Sequence, residues 1–172
     1  MRKVVLFIAT SIDGFIAGKD GNTVWLFTDG DFGYQAFYNS IDTTLMGYNT
    51  YFFIKHFPVF PYPDKKNYVF SRKKRIPEEH PVEFIFGDVV EFTRNLKKTE
   101  GKNIWLVGGS QINSLLLNAD LIDQMIISVH PVALGTGIKL FKDESLAKFS
   151  FSLIHHEVFD RGLVQLTYEN KE

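Results

Sequence analysis

The residues best suited to chemistry follow the ends of predicted strands. Gly108-Gly109-Ser110 comes directly after the apolar run Asn103–Val107, and Ser110 can cap a helix. Two glycines before a helix N-terminus leave backbone N–H groups open to a ligand, and the helix dipole adds partial positive charge. This pattern favours the binding of a pyrophosphate. A simple tight turn would also explain the two glycines.

Three other strand ends carry comparable features. Ser11–Gly18 is a glycine-punctuated loop after the first strand, and Gly47-Tyr48-Asn49-Thr50 follows the second. Ser71-Arg72 follows the third, where a hydroxyl and a guanidinium together suit a phosphate monoester. Ligands of open α/β sheets bind at the carboxyl ends of the strands. Four such ends in one short chain therefore predict a single long ligand with several phosphates.

The elements that must position these loops alternate between strand and helix. Strand-like runs rich in Val, Ile and Phe occur at Lys3–Thr10, Thr43–Met46, Asn67–Phe70, Val82–Phe86, Asn103–Val107, Gln124–His130, Phe151–Val158 and Leu163–Glu169. Helices are predicted after Asp31, from Asn49 or Thr50, over Val89–Lys98 with Asp88 as the cap, and from Ser110. This order predicts an α/β fold with a mostly parallel central sheet, an antiparallel C-terminal hairpin and helices on both faces. The 172 residues, 1–172, are expected to form a single domain.

Composition excludes several function classes. The formal net charge is -1 and the basic run Arg72-Lys73-Lys74-Arg75 is short, so neither nucleic acid nor a membrane is an expected partner. The chain has no cysteine, which rules out a thiol nucleophile and fits a reducing cytoplasm. The five histidines lack the spacing of metal ligands, so no metal site is predicted.

These segments, in this order, resemble the dihydrofolate reductase superfamily, and in particular its reductases similar to the C-terminal domain of the bifunctional riboflavin-biosynthesis deaminase/reductase. The motifs that carry the resemblance are Ser11-x-Asp13-Gly14, Trp25, Met46-Gly47-x-x-Thr50, Tyr68-Val69-Phe70-Ser71-Arg72, Val107-Gly108-Gly109 and Pro131-x-x-Leu134-Gly135-x-Gly137. The resemblance implies a three-layer fold of the dihydrofolate-reductase type and NADPH as the cofactor. It also implies a homodimer and a small heterocyclic substrate.

The resemblance implies a set of cofactor-binding residues. Ala9, Ile16 and Ala17 match positions that line the nicotinamide. The phosphates and the adenosine would be received by Gly47, Tyr48, Asn49, Thr50, Ser71, Arg72, Val107, Gly108, Gly109, Ser110 and Gln111. Tyr48 stands where the family often has Arg or Lys against the 2′-phosphate. Arg72, with Lys73 or Lys74, is therefore the expected basis for preferring NADPH over NADH.

The resemblance implies a second set of residues around the substrate. Trp25 is expected as a wall of the pocket, and Ser128 matches a hydroxyl that helps fix the pterin through water in folate reductases. Asp29 and Asp31 are the candidate catalytic acids, a role that requires burial to raise the pKa of the carboxyl. Neither falls at the family's spacing from Trp25, and an Asp before an apolar helical run, such as Asp31, is an N-cap more often than an acid catalyst. Asp13 is interpreted as bridging its own loop.

The expected function is that of an NADPH-dependent reductase resembling 5-amino-6-(5-phosphoribosylamino)uracil reductase of riboflavin biosynthesis. Two alternatives stay open. One is a dihydrofolate reductase or another pteridine reductase, which would use the same cofactor on a different ring. The other is a dinucleotide-binding protein without catalysis, since the residues do not single out a proton donor.

Overall fold

An eight-stranded sheet lies at the centre of the molecule, which a computed structural model describes over residues 1–76, 79–142 and 149–171. The strands in chain order are β1 (Val4–Ser11), β2 (Phe15–Ala17), β3 (Ile41–Gly47), β4 (Lys66–Phe70), β5 (Val82–Ile85), β6 (Asn103–Gly108), β7 (Gln124–His130), β8 (Ile138–Lys139), β9 (Phe151–Val158) and β10 (Val164–Asn170). Their order in the large sheet is β5-β4-β3-β6-β1-β7-β10-β9. All eight predicted strands are present, with bounds that agree to within two residues.

The sheet is parallel except at one end. The six strands from β5 to β7 run parallel to their neighbours. β10 is antiparallel to both β7 and β9, and a short turn at Asp160–Gly162 joins β9 to β10. The predicted combination of a mostly parallel sheet and an antiparallel C-terminal hairpin is therefore confirmed.

Helices cover both faces of the sheet, as predicted. They are α1 (Tyr34–Ser40), α2 (Tyr48–Ile54), α3 (Val89–Lys97) and α4 (Ser110–Asn118). α1 and α2 bury Phe37 and Tyr51 in the core on one face, whereas α3 and α4 bury Leu96 and Leu116 in the core on the other. Among the helices of the described ranges the longest have nine residues, and none is long and apolar enough to cross a bilayer.

Two aspartates act at helix starts in different ways. Asp88 caps α3 as predicted, because its carboxylate accepts hydrogen bonds from two backbone N–H groups of the first turn, at 2.8 and 2.9 Å. α1 begins only at Tyr34, after Gly33 in the left-handed region with φ 77°. The prediction that this helix follows Asp31 directly was wrong by two residues. Asp31 still supports the helix, since its carboxylate accepts a hydrogen bond from the N–H of Gln35 at 2.9 Å.

Glycines rather than side-chain caps precede α2 and α4. Ser110 is the first residue of α4, its N-cap is Gly109, and the predicted capping role of Ser110 was wrong. Gly47 is likewise the N-cap of α2, so the predicted start at Asn49 or Thr50 was too late. Because a glycine has no side chain to accept a hydrogen bond, the first backbone N–H groups of these helices have no side-chain cap.

Candidate functional site

The four predicted strand ends lie side by side. β4, β3, β6 and β1 are consecutive in the sheet and parallel, so their carboxyl ends share one edge. Ser71 follows β4 on this edge, Gly47 ends β3, Gly108 ends β6 and Ser11 ends β1. The structure therefore brings together the four segments from which the sequence predicted one long ligand, and we call them the glycine edge.

The glycine turns after β3 and β6 contact each other. A Cβ atom added at Gly109 would lie 3.2 Å from Oγ1 of Thr50. One added at Gly47 would lie 3.1 Å from Cγ1 of Ile112 and 4.0 Å from the carbonyl oxygen of Gly108. The peptide bond between Gly108 and Gly109 is cis. Larger residues at these positions would occupy the space between the two helix starts.

The other predicted cofactor residues around these turns lie in the same region. Asn49 and Thr50 belong to the first turn of α2, and Gln111 belongs to the first turn of α4. Asn49 and Gln111 are exposed, and Val107 in β6 is half-buried. The structure thus brings the polar members of this set to the glycine edge.

Arg75, which sequence reasoning missed, lies at the third strand end. Its guanidinium is 3.3 Å from the centre of the Tyr48 ring, and its Nε donates a hydrogen bond to Oγ of Ser71 at 3.0 Å. Arg72 is exposed and has no hydrogen bond or ion pair with the rest of the described chain. The sequence places Arg75 in the same basic run as Arg72, but the contact between Arg75 and Tyr48 forms only in the folded chain.

The loops after β1 and β7 are joined beside the expected nicotinamide residues. The carboxylate of Asp13 accepts hydrogen bonds from the backbone N–H groups of Leu134 and Gly135, at 3.1 and 2.7 Å. The interpretation of Asp13 as a bridging residue is borne out, although the bridge reaches a second loop. β2, which carries Ile16 and Ala17, pairs with β8 in a two-stranded sheet that the sequence did not predict.

Charge and close packing fix this junction. The hydroxyl of Ser11 donates to the Asp13 carboxylate at 2.6 Å and, with the two backbone N–H groups, lowers the pKa of Asp13 to about 2. Gly137 has φ 157°, and a Cβ atom there would lie 2.2 Å from the carbonyl oxygen of Ala17. Only glycine permits this approach, so Gly137 has a structural role next to β2.

A pocket of about 360 Å³ opens on the face of the sheet that carries α1. Its walls are largely apolar and aromatic: Phe7, Leu26, Phe27, Phe32, Tyr34 and Leu163. Three predicted site residues also line it: Ala9, Asp31 and Ser128. A concave, mostly apolar pocket with a few polar groups is typical of a small-molecule site, and the rings suit a flat ligand. We call this the aromatic pocket.

Ser128 is fixed at the base of the aromatic pocket. It is opposite Ala9 in the pairing of β7 with β1 and opposite Gln165 in the pairing with β10. Nε2 of Gln165 donates to Oγ of Ser128 and to the carbonyl oxygen of Phe32, both at 3.0 Å. The Ser128 hydroxyl therefore accepts one hydrogen bond and keeps its own proton for another partner.

His130 is a pocket residue that sequence reasoning missed. It is 4% exposed, and its ring lies edge-to-face with Trp25 at 5.4 Å between ring centroids. Burial lowers the pKa of His130. The signal that could have found it is strand periodicity, because residues two apart on β7 share a face and His130 follows Ser128 by two.

The two candidate acids are both exposed. Asp29 forms an ion pair with Arg161 at 2.6 Å, and its side chain is 64% exposed. Asp31 lines the aromatic pocket. The structure brings only Asp31 to the pocket wall, and neither carboxylate has the burial that the proposed acid role requires. The role of proton donor stays a prediction for both residues.

Comparison with known proteins gives the family. The model of the RibD C-terminal domain matches residues 2–165. Over 146 residues the chain is 44% identical to the uncharacterized protein YwjB of Bacillus subtilis (strain 168), covering 83% of this chain and 84% of that protein. It is 35% identical over 179 residues to YyaP of the same organism, also uncharacterized, covering 97% and 94% of the two chains.

Solved structures agree with this result. A putative riboflavin biosynthesis protein from Shewanella sp. PV-4 superposes with a TM-score of 0.87 at 34% identity, and all of both chains is covered. The diaminohydroxyphosphoribosylaminopyrimidine deaminase/5-amino-6-(5-phosphoribosylamino)uracil reductase of Thermotoga maritima shares the fold, with a TM-score of 0.75 at 18% identity over 99% of this chain and 57% of that chain. By its sequence and its fold, this chain belongs to the RibD C-terminal domain family.

Proposed function

We propose that this protein is an NADPH-dependent reductase that acts on a small, flat nitrogen heterocycle or on a ring-opened ribitylamine precursor, in a reaction resembling 5-amino-6-(5-phosphoribosylamino)uracil reduction in riboflavin biosynthesis. In that reaction the hydride would enter an imine or ring-opened sugar carbon, whereas in a folate-type reaction it would enter a ring C=N bond. Membership of the RibD C-terminal domain family supports a reductase-like role. The observation that carries the proposal is the continuity of the glycine edge with the aromatic pocket. Ala9 belongs to β1, whose end lies on that edge, and it also lines the pocket.

The glycine edge fits a dinucleotide pyrophosphate. α4 begins after Gly109 without a side-chain cap, so its first N–H groups and its dipole are free to act on an anion. The turn at Gly47 lies beside the same space. A side chain at Gly109 would occupy that space and approach Thr50. These residues would hold the pyrophosphate. NADPH bound there would supply the hydride for the reaction.

The adenosine end of the cofactor would lie over Tyr48. The Arg75 guanidinium already contacts this ring and donates to the Ser71 hydroxyl, so a cation is present for a 2′-phosphate, while the proton of the Ser71 hydroxyl is donated to the carbonyl oxygen of Lys73. Arg72 adds a second positive charge nearby in the chain. This arrangement replaces the Arg or Lys that the resemblance led us to expect at position 48.

The substrate would occupy the aromatic pocket, with the nicotinamide next to Ala9, Ile16 and Ala17. Reduction of a C=N bond requires a proton as well as a hydride. Asp31 is the candidate acid that lines the pocket, and Asp29 is engaged by Arg161 outside this lining. We therefore place the proton-delivering role on Asp31 ahead of Asp29.

A dinucleotide-binding protein without catalysis is the second candidate. The observation that favours it is the exposure of both Asp29 and Asp31, which leaves neither carboxyl in an environment built for proton delivery. This candidate shares the glycine edge with the first. It differs only in the chemistry of the aromatic pocket.

Titration calorimetry with NADPH and an assay of NADPH oxidation by absorbance separate these candidates. The proposed reductase binds NADPH and consumes it with a ribosylaminouracil substrate, whereas a pteridine reductase consumes it with dihydropterin or dihydrofolate. Tight binding without turnover of any of them would favour the non-catalytic candidate. No heat with NADPH or NADH would contradict all three.

We further propose a homodimer formed through β9. Within the described ranges this strand is at the edge of the sheet, and it exposes Leu153, Ile154 and Val158 by 51%, 52% and 69%. A second copy of the chain would cover these side chains. Analytical ultracentrifugation should show a dimer for the protein and a monomer for Leu153→Glu; an unchanged state would place the contact elsewhere.

A further inference from the structure

We propose that His130 binds the substrate directly, and that its Nε2 atom accepts a hydrogen bond from an N–H or O–H group of a flat heterocycle in the aromatic pocket. The inference rests on the proposed function only where it takes this pocket as the substrate site. It adds a substrate-binding and specificity-determining residue beside Ser128, whereas Trp25, which was expected as a wall of the pocket, is not among the residues that line it.

The fold directs His130 into the pocket. It is the last residue of β7 and lies opposite Ser11 in the pairing with β1. Side chains two apart on a strand share a face, so His130 points to the same side as Ser128, and both line the pocket. The residue is nevertheless 4% exposed. It is a buried polar group at the wall of a cavity.

The hydrogen bond on the other side of the ring fixes its tautomer. Nδ1 of His130 lies 3.2 Å from the carbonyl oxygen of Ser128. A carbonyl oxygen can only accept, so Nδ1 carries the proton and donates it. In the neutral ring Nε2 is then a bare acceptor.

The charge state agrees with this assignment. Burial lowers the pKa of His130, and the positive charge of Arg161 lowers it further, while the hydrogen bond to the Ser128 carbonyl raises it. The neutral form therefore dominates near pH 7. His130 acts as a hydrogen-bond acceptor there rather than as a proton donor.

Nε2 of His130 has no hydrogen-bond partner in the described chain, and the same is true of Nε1 of Trp25. Both atoms are buried, and buried polar groups in native proteins are normally satisfied. The indole N–H can only donate, whereas the imidazole Nε2 can only accept in this tautomer. The two rings are in edge-to-face contact, and of the two residues His130 is the one that lines the pocket, so a ligand bound there would meet Nε2 of His130.

The unpaired Nε2 atom of His130 defines the ligand that fits. Such a ligand presents a hydrogen-bond donor on the edge of a flat ring, as the N–H of a cyclic amide does. The ring of Phe27 lies 5.0 Å from that of His130 and offers an apolar surface beside this edge. A ring whose N–H groups are replaced by methyl groups would leave Nε2 of His130 unsatisfied.

The test compares lumazine, a flat cyclic amide, with 1,3-dimethyllumazine, which has no ring N–H donor. Binding is measured by calorimetry on the full chain saturated with NADP⁺. We expect the wild type to bind lumazine about tenfold more tightly than the dimethyl compound, as one buried hydrogen bond predicts. His130→Leu should remove this preference, and His130→Gln should keep part of it because its side-chain oxygen can accept.

The remaining outcomes would overturn the proposal. If lumazine binds the wild type and His130→Leu with equal affinity, Nε2 of His130 does not bind the ligand and is satisfied only by water. A preference that persists in His130→Leu would be steric, and a wild type that binds neither compound would exclude the cyclic amide. NADPH affinity, measured separately, should be the same in His130→Leu and the wild type, so a failure of the cofactor proposal is seen independently.

A second measurement covers variants that do not fold. In the ¹⁵N-labelled wild type, the Nε2 resonance of His130 should shift when lumazine is added and stay in place with 1,3-dimethyllumazine. A resonance that is unaffected by bound lumazine would contradict the hydrogen bond.

Discussion

The glycine edge and the aromatic pocket would present different kinds of groups to a ligand. The glycine edge uses backbone groups at the ends of four adjacent parallel strands, and its key positions are those where a side chain would fill the space. The aromatic pocket uses side chains from the segment before α1, from the end of β7 and from the hairpin. The first arrangement depends on backbone groups and on the absence of side chains, while the second depends on the identity of each side chain. The proposed cofactor therefore rests on the fold, and the proposed substrate rests on individual residues.

The largest expected effect comes from a side chain placed on the glycine edge. Gly109→Val should abolish NADPH binding, because its Cβ alone would lie 3.2 Å from Oγ1 of Thr50 and the branched methyl groups would fill the space beside it. Lumazine binding in the pocket should survive. Calorimetry checks both, with Leu115→Val on the exposed side of α4 as the control. Retained NADPH affinity would move the cofactor away from this turn.

The next effect separates the two candidate acids. Asp31→Asn should lower kcat by about 100-fold, the low end for loss of a general acid, while Asp29→Asn should change it by less than about threefold. The reason is that only Asp31 lines the aromatic pocket, whereas Asp29 pairs with Arg161. Steady-state kinetics with the active substrate gives both values. Equal losses, or a larger loss for Asp29→Asn, would reverse the assignment.

A smaller effect is expected at the adenosine end of the glycine edge. Arg75→Ala should weaken NADPH about tenfold while leaving NADH nearly unchanged, because a charge-assisted hydrogen bond contributes about 1.5–3 kcal/mol. Arg72→Ala is the matched control in the same basic run. Arg72→Ala should change the ratio of NADPH to NADH affinity less than Arg75→Ala does, because Arg75 is the residue that lies over the Tyr48 ring. Equal loss of affinity for both nucleotides in both variants would remove this run from the 2′-phosphate site.

The smallest effect concerns the junction between the loops after β1 and β7. The pKa of Asp13 is lowered to about 2 by the hydroxyl of Ser11 and by two backbone N–H groups, so the ionised carboxylate stabilises the folded state. This stabilisation is complete above the ordinary pKa of about 4 and is lost as the pH falls toward about 2. Asp13→Asn should therefore melt a few degrees lower than the wild type at pH 6. The gap should narrow below pH 4, and a gap that widens there would contradict the assignment.

Much of the fold and of the glycine edge could be predicted from the sequence because the signals are local. An apolar run followed by Gly108-Gly109 or by Gly47 indicates the end of a strand from nearby residues alone. Because these strands pair in parallel, their carboxyl ends then lie together. The helix starts were less exact, because the glycines themselves occupy the N-cap positions.

The features that could not be predicted depend on contacts between distant segments. β2 and β8 are two or three residues long and pair across more than a hundred residues, so neither has a periodic pattern of its own. Arg75 meets Tyr48 only in the folded sheet. Strand periodicity places His130 on the same face as Ser128, but the role proposed for it depends on burial and on the carbonyl oxygen that accepts from Nδ1.

A crystal structure of the protein soaked with NADP⁺ would show whether the glycine edge binds the cofactor. We expect one nucleotide bound along the glycine edge, with its pyrophosphate against Gly108 and Gly109 and its nicotinamide beside Ala9 at the mouth of the aromatic pocket. A nucleotide bound elsewhere, or one whose nicotinamide points away from the pocket, would contradict it.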